Sequence, residues 1–516
     1  MAALAIRQAA RNKGIKVAGN AGIPQWNDYA VRLKAQDVKS PVFIATPFST
    51  KLDELAEKTY HATYPDIAKL GFAVASMIYD SSPVIEGLSE VQQELAQRIA
   101  TVLREAEKPL VITGTHGGSE DLLHAAANIA NALSLNGKKC SLSFVPAECN
   151  SMGLGMMDGK SFMDAADLTA NGGIDTLVIL ENDLYRRADK KFVDALFEKC
   201  KTVIVLDHLV NNTTVKADIL LPVGTFAESE GTLVNHEGRA QRFYRVFPLA
   251  GPVIESWRQI RDLIKINGKT EAGTWENFDD VVTSMSDSIP AFSKIKGHMP
   301  DADFRILSEK IKRQTIRFSG RTAMNANIAV SESKTPIDPD SPLAFSMEGA
   351  DETPPSSLVS NYWAPGWNSS QAMNFYLNEP NGSMKGGDPG IRLFETASSD
   401  PVPFFPSAEL YFRPVAGEWM IVPVYQIFGS EELSSKGTAI AKRIASPFLL
   451  MNNRDAEGSG IKENDLITLL VSDKTIEVTL KIDESIPAGI AGLSAGLPGM
   501  PFLELPGPGW LTLKSG

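Results

Sequence analysis

DTLVILENDLYRRADKKFVDALFEKCKTVIVLDHLVNNTTVKADILLPVGTF, residues Asp175–Phe226, decides how this chain folds. DTLVIL and TVIVL are short apolar runs rich in β-branched residues, the form of a strand buried on both faces. Between them, Asp189 to Lys199 reads as a helix. ADILLP adds a further apolar run that carries a strand from sheet to surface. Strand, helix, strand within about thirty residues is the βαβ unit of a parallel sheet. The same alternation extends upstream. PVFIAT (41–46), PLVIT (109–113) and SLSFV (141–145) are expected strands. Ser89 and Gln92 make an S-x-x-Q capping box. Behind it Val91, Leu95, Ile99, Val102 and Leu103 recur at helical spacing. Leu122, Leu123, Ala126, Ile129, Ala130 and Leu133 mark the next helix. A last amphipathic helix runs from near Trp257 to about Ile266. The expected body is an α/β, Rossmann-like layer over 1–270, its sheet covered on both faces.

Further out the pattern changes. Leu4, Ile6 and the neighbouring alanines predict a helix broken at Gly14, and Ile15 to Ala18 predicts a strand. A chain that opens on a helix lacking an earlier strand is expected to be a piece of a longer product. Residues 271–405 read as an irregular connector. The stretch 331–360 is rich in Ser, Pro, Asp and Glu, and 361–405 holds WAPGW and GGDPG among many aromatics. That aromatic content suits an ordered loop packed on the body rather than a solvated linker. In the final stretch, 406–516, Ile467, Leu469 and Val471 alternate with polar residues, as do Ile476, Val478, Leu480 and Ile482. Two half-buried strands joined by a hairpin turn at SDK point to a β-barrel domain.

Composition narrows the function. The net charge of −12 comes with no dense Lys/Arg run, which argues against nucleic acid and anionic lipid as partners. No apolar run approaches 18 residues, so no direct membrane insertion is expected. Cys140, Cys149 and Cys200 are an odd, widely spaced set, best read as reduced and mostly buried thiols of a cytoplasmic protein. Without a C-x-x-C, the chain cannot supply the Cys₄ ligation usual for an iron–sulfur cluster.

Sequence motifs offer little chemistry of their own. GTHGGS (114–119) sits between strand and helix, where a phosphate could meet free N–H groups. Glu120 and Asp121 already complement that helix dipole and would repel an anion, so a plain turn is expected. A nucleotide-binding regulatory module built on this loop is the weakest of the functional readings. GLGMMDGKS (153–161) misses the P-loop because Leu154 stands where the first glycine belongs. His116, His124 and His208 have no G-x-S-x-G serine to serve, and no H-E-x-x-H occurs, so neither catalytic nor metal residues are expected. The remaining candidates lie at strand carboxyl ends, where open α/β sheets bind ligands: Glu181, Asn182, Asp183 and Asp207. Glu230, Asn235 and Arg239 join them from the stretch ADILLPVGTFAESEGTLVNHEGRAQRF, Ala217–Phe243.

ADILLP followed by E-S-E-G-T and N-H-E-G-R-A-Q resembles the molybdopterin oxidoreductase family. Within it, ENDLYRR (181–187), TFAESEGTLVNHEGRAQRFYRVF (225–247), SGRTAM (319–324), WAPGWNS (363–369), GDPGIRLFE (387–395) and FGSEELS (428–434) look most like the large iron–sulfur subunits of bacterial NADH:quinone oxidoreductases, the respiratory complex I. The resemblance runs in order from LAIRQAARNKG onward. It implies a formate dehydrogenase/DMSO reductase-like parallel-sheet body and a double-psi, ADC-like terminal barrel. It also implies an N-terminal iron–sulfur region that this chain lacks, and a peripheral arm on the cytoplasmic face of the bacterial inner membrane. The partners implied are the other peripheral-arm subunits and that iron–sulfur region.

The complex I relative is regarded as having lost its pterin, and the residues agree. Catalytic relatives place a Gly/Asn-Pro type turn against the pterin phosphates where Glu181 and Asp183 stand here. Each carboxylate beside a pyrophosphate would cost on the order of 1 kcal/mol even when well screened. The family's metal-ligating Ser, Cys or selenocysteine lies in a region with no match here. Asp207 stands where molybdoenzymes often read the nucleotide base, but it is expected to play a helix-capping role ahead of Asn211 and Asn212. Arg239 and Arg242 are expected to pair with Glu228, Glu230 or Glu237. The reading is a non-redox scaffold with no cofactor of its own, supporting electron transfer from NADH to quinone. The alternative is a truncated molybdopterin-dependent, formate-dehydrogenase-like oxidoreductase that still holds the pterin.

Overall fold

The computed structural model describes residues 2–25, 28–268, 274–302, 390–394, 402–406, 417–471 and 473–512. SGRTAM, WAPGWNS and most of the expected connector lie outside the described residues. By its contacts the chain divides into two units. One holds Met1–Val42, Glu54–Glu57 and His298–Ile391; the other holds Phe43–Asp53, Lys58–Gly297 and Arg392–Gly516.

In the first unit, helices α1 (Ala2–Ala10), α2 (Asn12–Asn20) and α3 (Asp28–Ala35) follow one another. The strand expected at Ile15–Ala18 is therefore a correction: those residues are the middle of α2. Gly14 does not break the helix, because it serves close packing. A Cβ there would lie 2.8 Å from the Val38 carbonyl oxygen and 2.9 Å from the Ala35 Cβ. Tertiary contact outweighs the roughly 1 kcal/mol helix penalty of one glycine.

The second unit opens on two parallel strands, β1 (Phe43–Thr46) and β2 (Lys58–His61). Helices α4 (Tyr64–Ile78), α5 (Glu90–Glu105) and α6 (Glu120–Leu135) form a layer against β3 (Leu110–Gly114) and β4 (Ser141–Val145). Ala73, Ala75, Ala96, Ala100 and Ala132 fill its centre, so the helices approach closely. The Ser89–Gln92 capping box forms at the start of α5. Val91 is 66% exposed, a correction to its place on the apolar face; Leu95, Ile99 and Leu103 do pack inward. Asn128 on α6 straps an extended segment, 402–406, onto the layer. Its amide donates to the Phe405 carbonyl and accepts from the Phe405 N–H, both at 2.9 Å.

Short helices α7 (Ser151–Gly155) and α8 (Phe162–Ala170) lead to β5 (Thr176–Leu180). Then come α9 (Lys190–Lys199), β6 (Thr202–Asp207) and β7 (Ile219–Pro222). Strands β5, β6 and β7 form a parallel sheet in that order, in agreement with the βαβ reading. Ile179, Val203 and Val205 pack beneath Ala166, Val193 and Leu196 of α8 and α9. Beyond β7 the chain forms an antiparallel hairpin, β8 (Gly231–Val234) and β9 (Arg239–Phe243). Two helices follow, α10 (Ser256–Ile266) and α11 (Phe278–Ser288), the second capped by Asn277 and Asp280 beyond the point where apolar periodicity fades. A two-residue strand, β10 (Ile391–Arg392), joins the β9 edge.

The expected C-terminal barrel is present and closed. Its strands are β11 (Glu418–Tyr425), β12 (Phe448–Met451), β13 (Leu466–Val471), β14 (Lys474–Ile482), β15 (Ile490–Ala495) and β16 (Gly507–Thr512), in the order β11-β15-β12-β14-β13-β16. Two pairs, β11 with β15 and β12 with β14, are parallel, and the rest antiparallel. The alternation read from sequence fills the interior: Ile467, Leu469, Val471, Val478 and Leu480 are buried beside Ile421, Leu449 and Leu493. Closure gives each of these six strands a partner on both sides. Leu480→Ala is expected to lower stability by about 2–5 kcal/mol through a cavity, and Val91→Ala to change it by less than about 0.5 kcal/mol, both read from urea unfolding.

Candidate functional site

The carboxyl ends of β5 and β6 carry the acidic residues singled out by sequence, and most of those side chains are already engaged. Past β5 the chain turns at Glu181 with φ +47, a left-handed conformation that costs a non-glycine residue about 1–2 kcal/mol. Its N–H donates to the Leu206 carbonyl at 2.7 Å, which fixes the turn to the neighbouring strand. Asn182 accepts from Arg187 Nε at 3.1 Å, and Arg187 also meets Glu148 at 2.6 Å. Asp183 is buried. It accepts from the Tyr185 N–H at 3.2 Å and from the Thr213 hydroxyl at 2.8 Å. The Thr213 hydroxyl in turn accepts from the Leu184 N–H at 2.9 Å.

Asp207, also buried, ends β6 and organises the loop behind it. One carboxylate oxygen accepts from the N–H groups of His208 (2.7 Å) and Leu209 (3.1 Å), the other from the Asn211 amide at 2.8 Å. Asn211 extends the lacing by accepting from the Thr213 and Thr214 N–H groups. Asp207 thus holds a turn of its own chain rather than capping a helix, because its donors are the N–H groups of His208 and Leu209 and the Asn211 amide.

Hairpin β8–β9 brings Glu230, Asn235 and Arg239 near this loop in sequence, but each has a local task. Asn235 accepts from the Glu237 and Arg239 N–H groups and so builds the hairpin turn. Arg239 meets Glu237 at 3.2 Å on the surface. Glu230 meets Arg242 at 3.1 Å, and Arg242 also pairs with Asp279 of α11. With 3% of its side chain exposed, Arg242 is the buried tie between hairpin and helix, packed on the rings of Tyr244 and Phe278. Glu228 pairs with neither arginine, contrary to one option in the sequence reading. It accepts from the Thr225 N–H and hydroxyl instead, and those donors, the N–H first, hold its carboxyl below the usual range.

The barrel closes onto the same strand ends. Arg186, within ENDLYRR, donates to the Ser430 carbonyl at 3.0 Å and meets Glu432 at 3.1 Å, both within FGSEELS. Two motifs 244 residues apart in sequence therefore meet in space. Lys474 meets Asp189 at 2.6 Å and Lys191 meets Asp473 at 3.2 Å beside them. The glycine loop GTHGGS docks on the barrel as well: the His116 ring packs edge-on against Tyr425 at 5.2 Å. A Cβ on Gly117 would lie 2.9 Å from the Tyr64 ring, so this glycine serves close packing. The roles of Arg186 and Asp279 were not legible in sequence. The Asn277-x-x-Asp280 cap of α11 was the one signal that could have placed Asp279 on a helix.

The pterin dinucleotide implied by the family resemblance does not fit these groups. A pyrophosphate needs unengaged N–H donors and cations. Here Asp183 and Asp207 occupy the loop N–H groups, Arg186 is committed to Glu432 and Arg187 to Glu148. Among the described residues, no three His, Cys, Asp or Glu are placed to hold a metal ion. Cys140 is half-buried, and burial pushes its thiol up to about 11, away from the reactive thiolate. Cys149 is exposed, which corrects the expectation for that residue.

The engaged charges have measurable consequences. Arg242→Ala is expected to cost about 3–5 kcal/mol because it removes the buried guanidinium that meets Glu230 and Asp279, while Arg239→Ala costs below about 1 kcal/mol; urea unfolding compares them. Stability should also depend on pH in two opposite ways. Lys474 holds Asp189 below the usual carboxylate range. Asp189 therefore stabilises the fold above its unfolded pKa, and that contribution is lost as pH falls through the native value. Glu432 is pushed up, chiefly by burial, against the opposing pull of Arg186. Its stabilising contribution is present below the unfolded pKa and is lost as pH rises through the raised native one. Asp189→Asn is expected to flatten the acid limb of the stability profile, and Glu432→Gln the limb just above the ordinary glutamate range.

Comparison with known proteins adds the lineage. Residues 83–266 match the family model described as Molybdopterin oxidoreductase. The G subunit of NADH-quinone oxidoreductase from Pseudomonas fluorescens is 41% identical over 97% of this chain and 56% of its own length. The corresponding proteins of Salmonella typhimurium (strain LT2) and Escherichia coli (strain K12) are each 38% identical over 96% of this chain and 55% of theirs. Among solved structures, acetylene hydratase from Pelobacter acetylenicus aligns with a TM-score of 0.46 and 12% identity, covering 92% of this chain and 70% of that one. The chain spans about half the length of the curated relatives it matches. Residues 83–266 match a molybdopterin oxidoreductase domain, and over nearly all its length the chain is homologous to NADH-quinone oxidoreductase G subunits.

Proposed function

We propose that this chain is a non-redox scaffold region of the peripheral arm of an NADH:quinone oxidoreductase. It braces the path of electrons from NADH to quinone without carrying a cofactor. The observation behind this reading is the bond set of Arg186, which ties the strand ends of the body to Ser430 and Glu432 of the barrel where a ligand-binding relative would need room and positive charge. Homology to the relatives named above supports a place among complex I subunits. A position at the cytoplasmic face of the bacterial inner membrane belongs to the same proposal. Among the described residues, no helix is long and apolar enough to cross a membrane, which agrees with a peripheral position. The iron–sulfur clusters of such an arm would reside in polypeptide beyond this chain.

The rival reading, a pterin-loaded oxidoreductase, draws on the molybdopterin oxidoreductase match at 83–266. Elemental analysis for molybdenum and tungsten, with pterin fluorescence after oxidation, separates the two. The purified chain is expected to give neither signal. A pterin-to-protein ratio near one would overturn the scaffold reading.

A further inference from the structure

The segment 402–406, Val-Pro-Phe-Phe-Pro, lies on α6 without joining a sheet. Among the described residues, each of its hydrogen bonds runs to an asparagine side chain of that helix. Asn128 accepts from the Phe405 N–H and donates to the Phe405 carbonyl, both at 2.9 Å. Asn131, about one turn further on, donates to the Val402 carbonyl at 2.7 Å. The segment therefore runs antiparallel to α6. Its two rings have seats of their own. Phe404 stacks on Tyr79, just past the end of α4, and packs against the alanine-lined core of the layer. Phe405 lies flat on the His124 ring, 4.2 Å away with 9° between the planes. His124, Asn128 and Asn131 stand at i, i+4 and i+7, one stripe of the helix.

The asparagines read backbone groups, and the ring seats read side chains. Bound peptides are held in the same way, with main-chain hydrogen bonds for affinity and pockets for specificity. Asn128 shows that this seat requires an occupant. It is 1% exposed, and both of its bonds go to Phe405. An empty seat would leave a buried donor and a buried acceptor unpaired, each at the full cost of its desolvation. An apolar residue at 128 would fill the layer with no such requirement. The occupant is also prepared for its place. Pro403 and Pro406 have fixed φ, and each restricts the residue before it, Val402 or Phe405, to extended backbone. Little freedom is lost on seating, and the five residues bring no charge into the layer.

We propose that this stripe of α6, with Tyr79, is a peptide-recognition site for an extended, uncharged, proline-flanked pair of aromatic residues, and that Val402–Pro406 is a ligand held there in cis. A segment of the same kind supplied in trans takes its place once the cis segment is weakened, because a ligand on the same chain competes at a high effective concentration. Neither the scaffold role nor the state of the strand ends enters into this assignment.

The probe is a labelled synthetic peptide with the sequence of 401–407, Pro-Val-Pro-Phe-Phe-Pro-Ser, read by fluorescence anisotropy against the full 516-residue chain. The chain carrying Phe404→Ser and Phe405→Ser is expected to bind it at least about tenfold more tightly than the native chain, whose own segment fills the seat. Methylating the peptide nitrogen that corresponds to the Phe405 N–H should weaken binding by about tenfold, with the protein unchanged. Asn128→Ala, added to the double variant, should do the same. Unaltered hydrogen exchange in 474–482 reports an intact barrel. A folded double variant that ignores the peptide at millimolar concentration overturns the proposal. So does equal binding by the native and double-variant chains, which places the peptide elsewhere. Equal binding of the methylated and parent peptides overturns it as well, since it reports unspecific apolar adhesion. Native-state exchange decides the matter should the double variant fail to fold. In the native chain the Phe405 amide is expected to exchange through a local opening insensitive to low urea; exchange that tracks global unfolding makes the segment core rather than ligand.

Discussion

A carboxylate taken out of water at the end of a strand has to be met by donors, and that requirement shapes the centre of this structure. Asp183 and Asp207 are both buried where β5 and β6 end. The nearest donors are the N–H groups and hydroxyls of the neighbouring loops, and the two aspartates take them: Tyr185 and Thr213 for one, His208, Leu209 and Asn211 for the other. Open α/β sheets hold anionic ligands with such N–H groups. Once an internal carboxylate occupies them, the position where a phosphate would sit is stabilised by the chain itself. The same acids set the surroundings of the barrel contact, because the charges of Asp183 and Asp207 add to burial in raising Glu432. Arg186 is what makes that third carboxylate tolerable, and so it binds barrel to body.

Arg242 applies the same logic at the hairpin. Guanidinium is weakly hydrated and planar, so it can be buried when two carboxylates and aromatic faces surround it. Glu230, Asp279, Tyr244 and Phe278 provide that environment. The conspicuous N-H-E-G-R-A-Q stretch thereby acquires a structural reason: it turns the hairpin through Asn235 so that β9 delivers Arg242 to α11. Gly117 of GTHGGS follows a packing reason too, since Tyr64 occupies the space a side chain would need.

Where local chemistry decides the outcome, the sequence was readable. DTLVIL, TVIVL and ADILLP are strands because nothing else suits short β-branched runs, and the alternation from Ile467 to Ile482 could only be a half-buried hairpin. The Ser89 capping box needed nothing beyond its own four residues. Failures came where a distant contact decides. Gly14 reads as a break until Ala35 and Val38 are placed against it, and then it is a contact point within a helix. Val91 lies on the periodic face of α5 but beyond the reach of its neighbours. Arg239 with Glu237 and Arg242 with Glu230 were among the pairings read from nearby sequence, but Arg186 with Glu432 and Arg242 with Asp279 were not, because they join segments that no local pattern links.

The groups that bind an anion at a sheet's carboxyl end and the groups that lock two domains together there are chemically alike: N–H donors, an arginine, a few hydroxyls. Their effect depends on what they meet. When the negative partner is a diffusible cofactor, the crevice must stay open and the domains must tolerate its loss. When the partner is Glu432 of the same chain, the contact between body and barrel is made without a ligand.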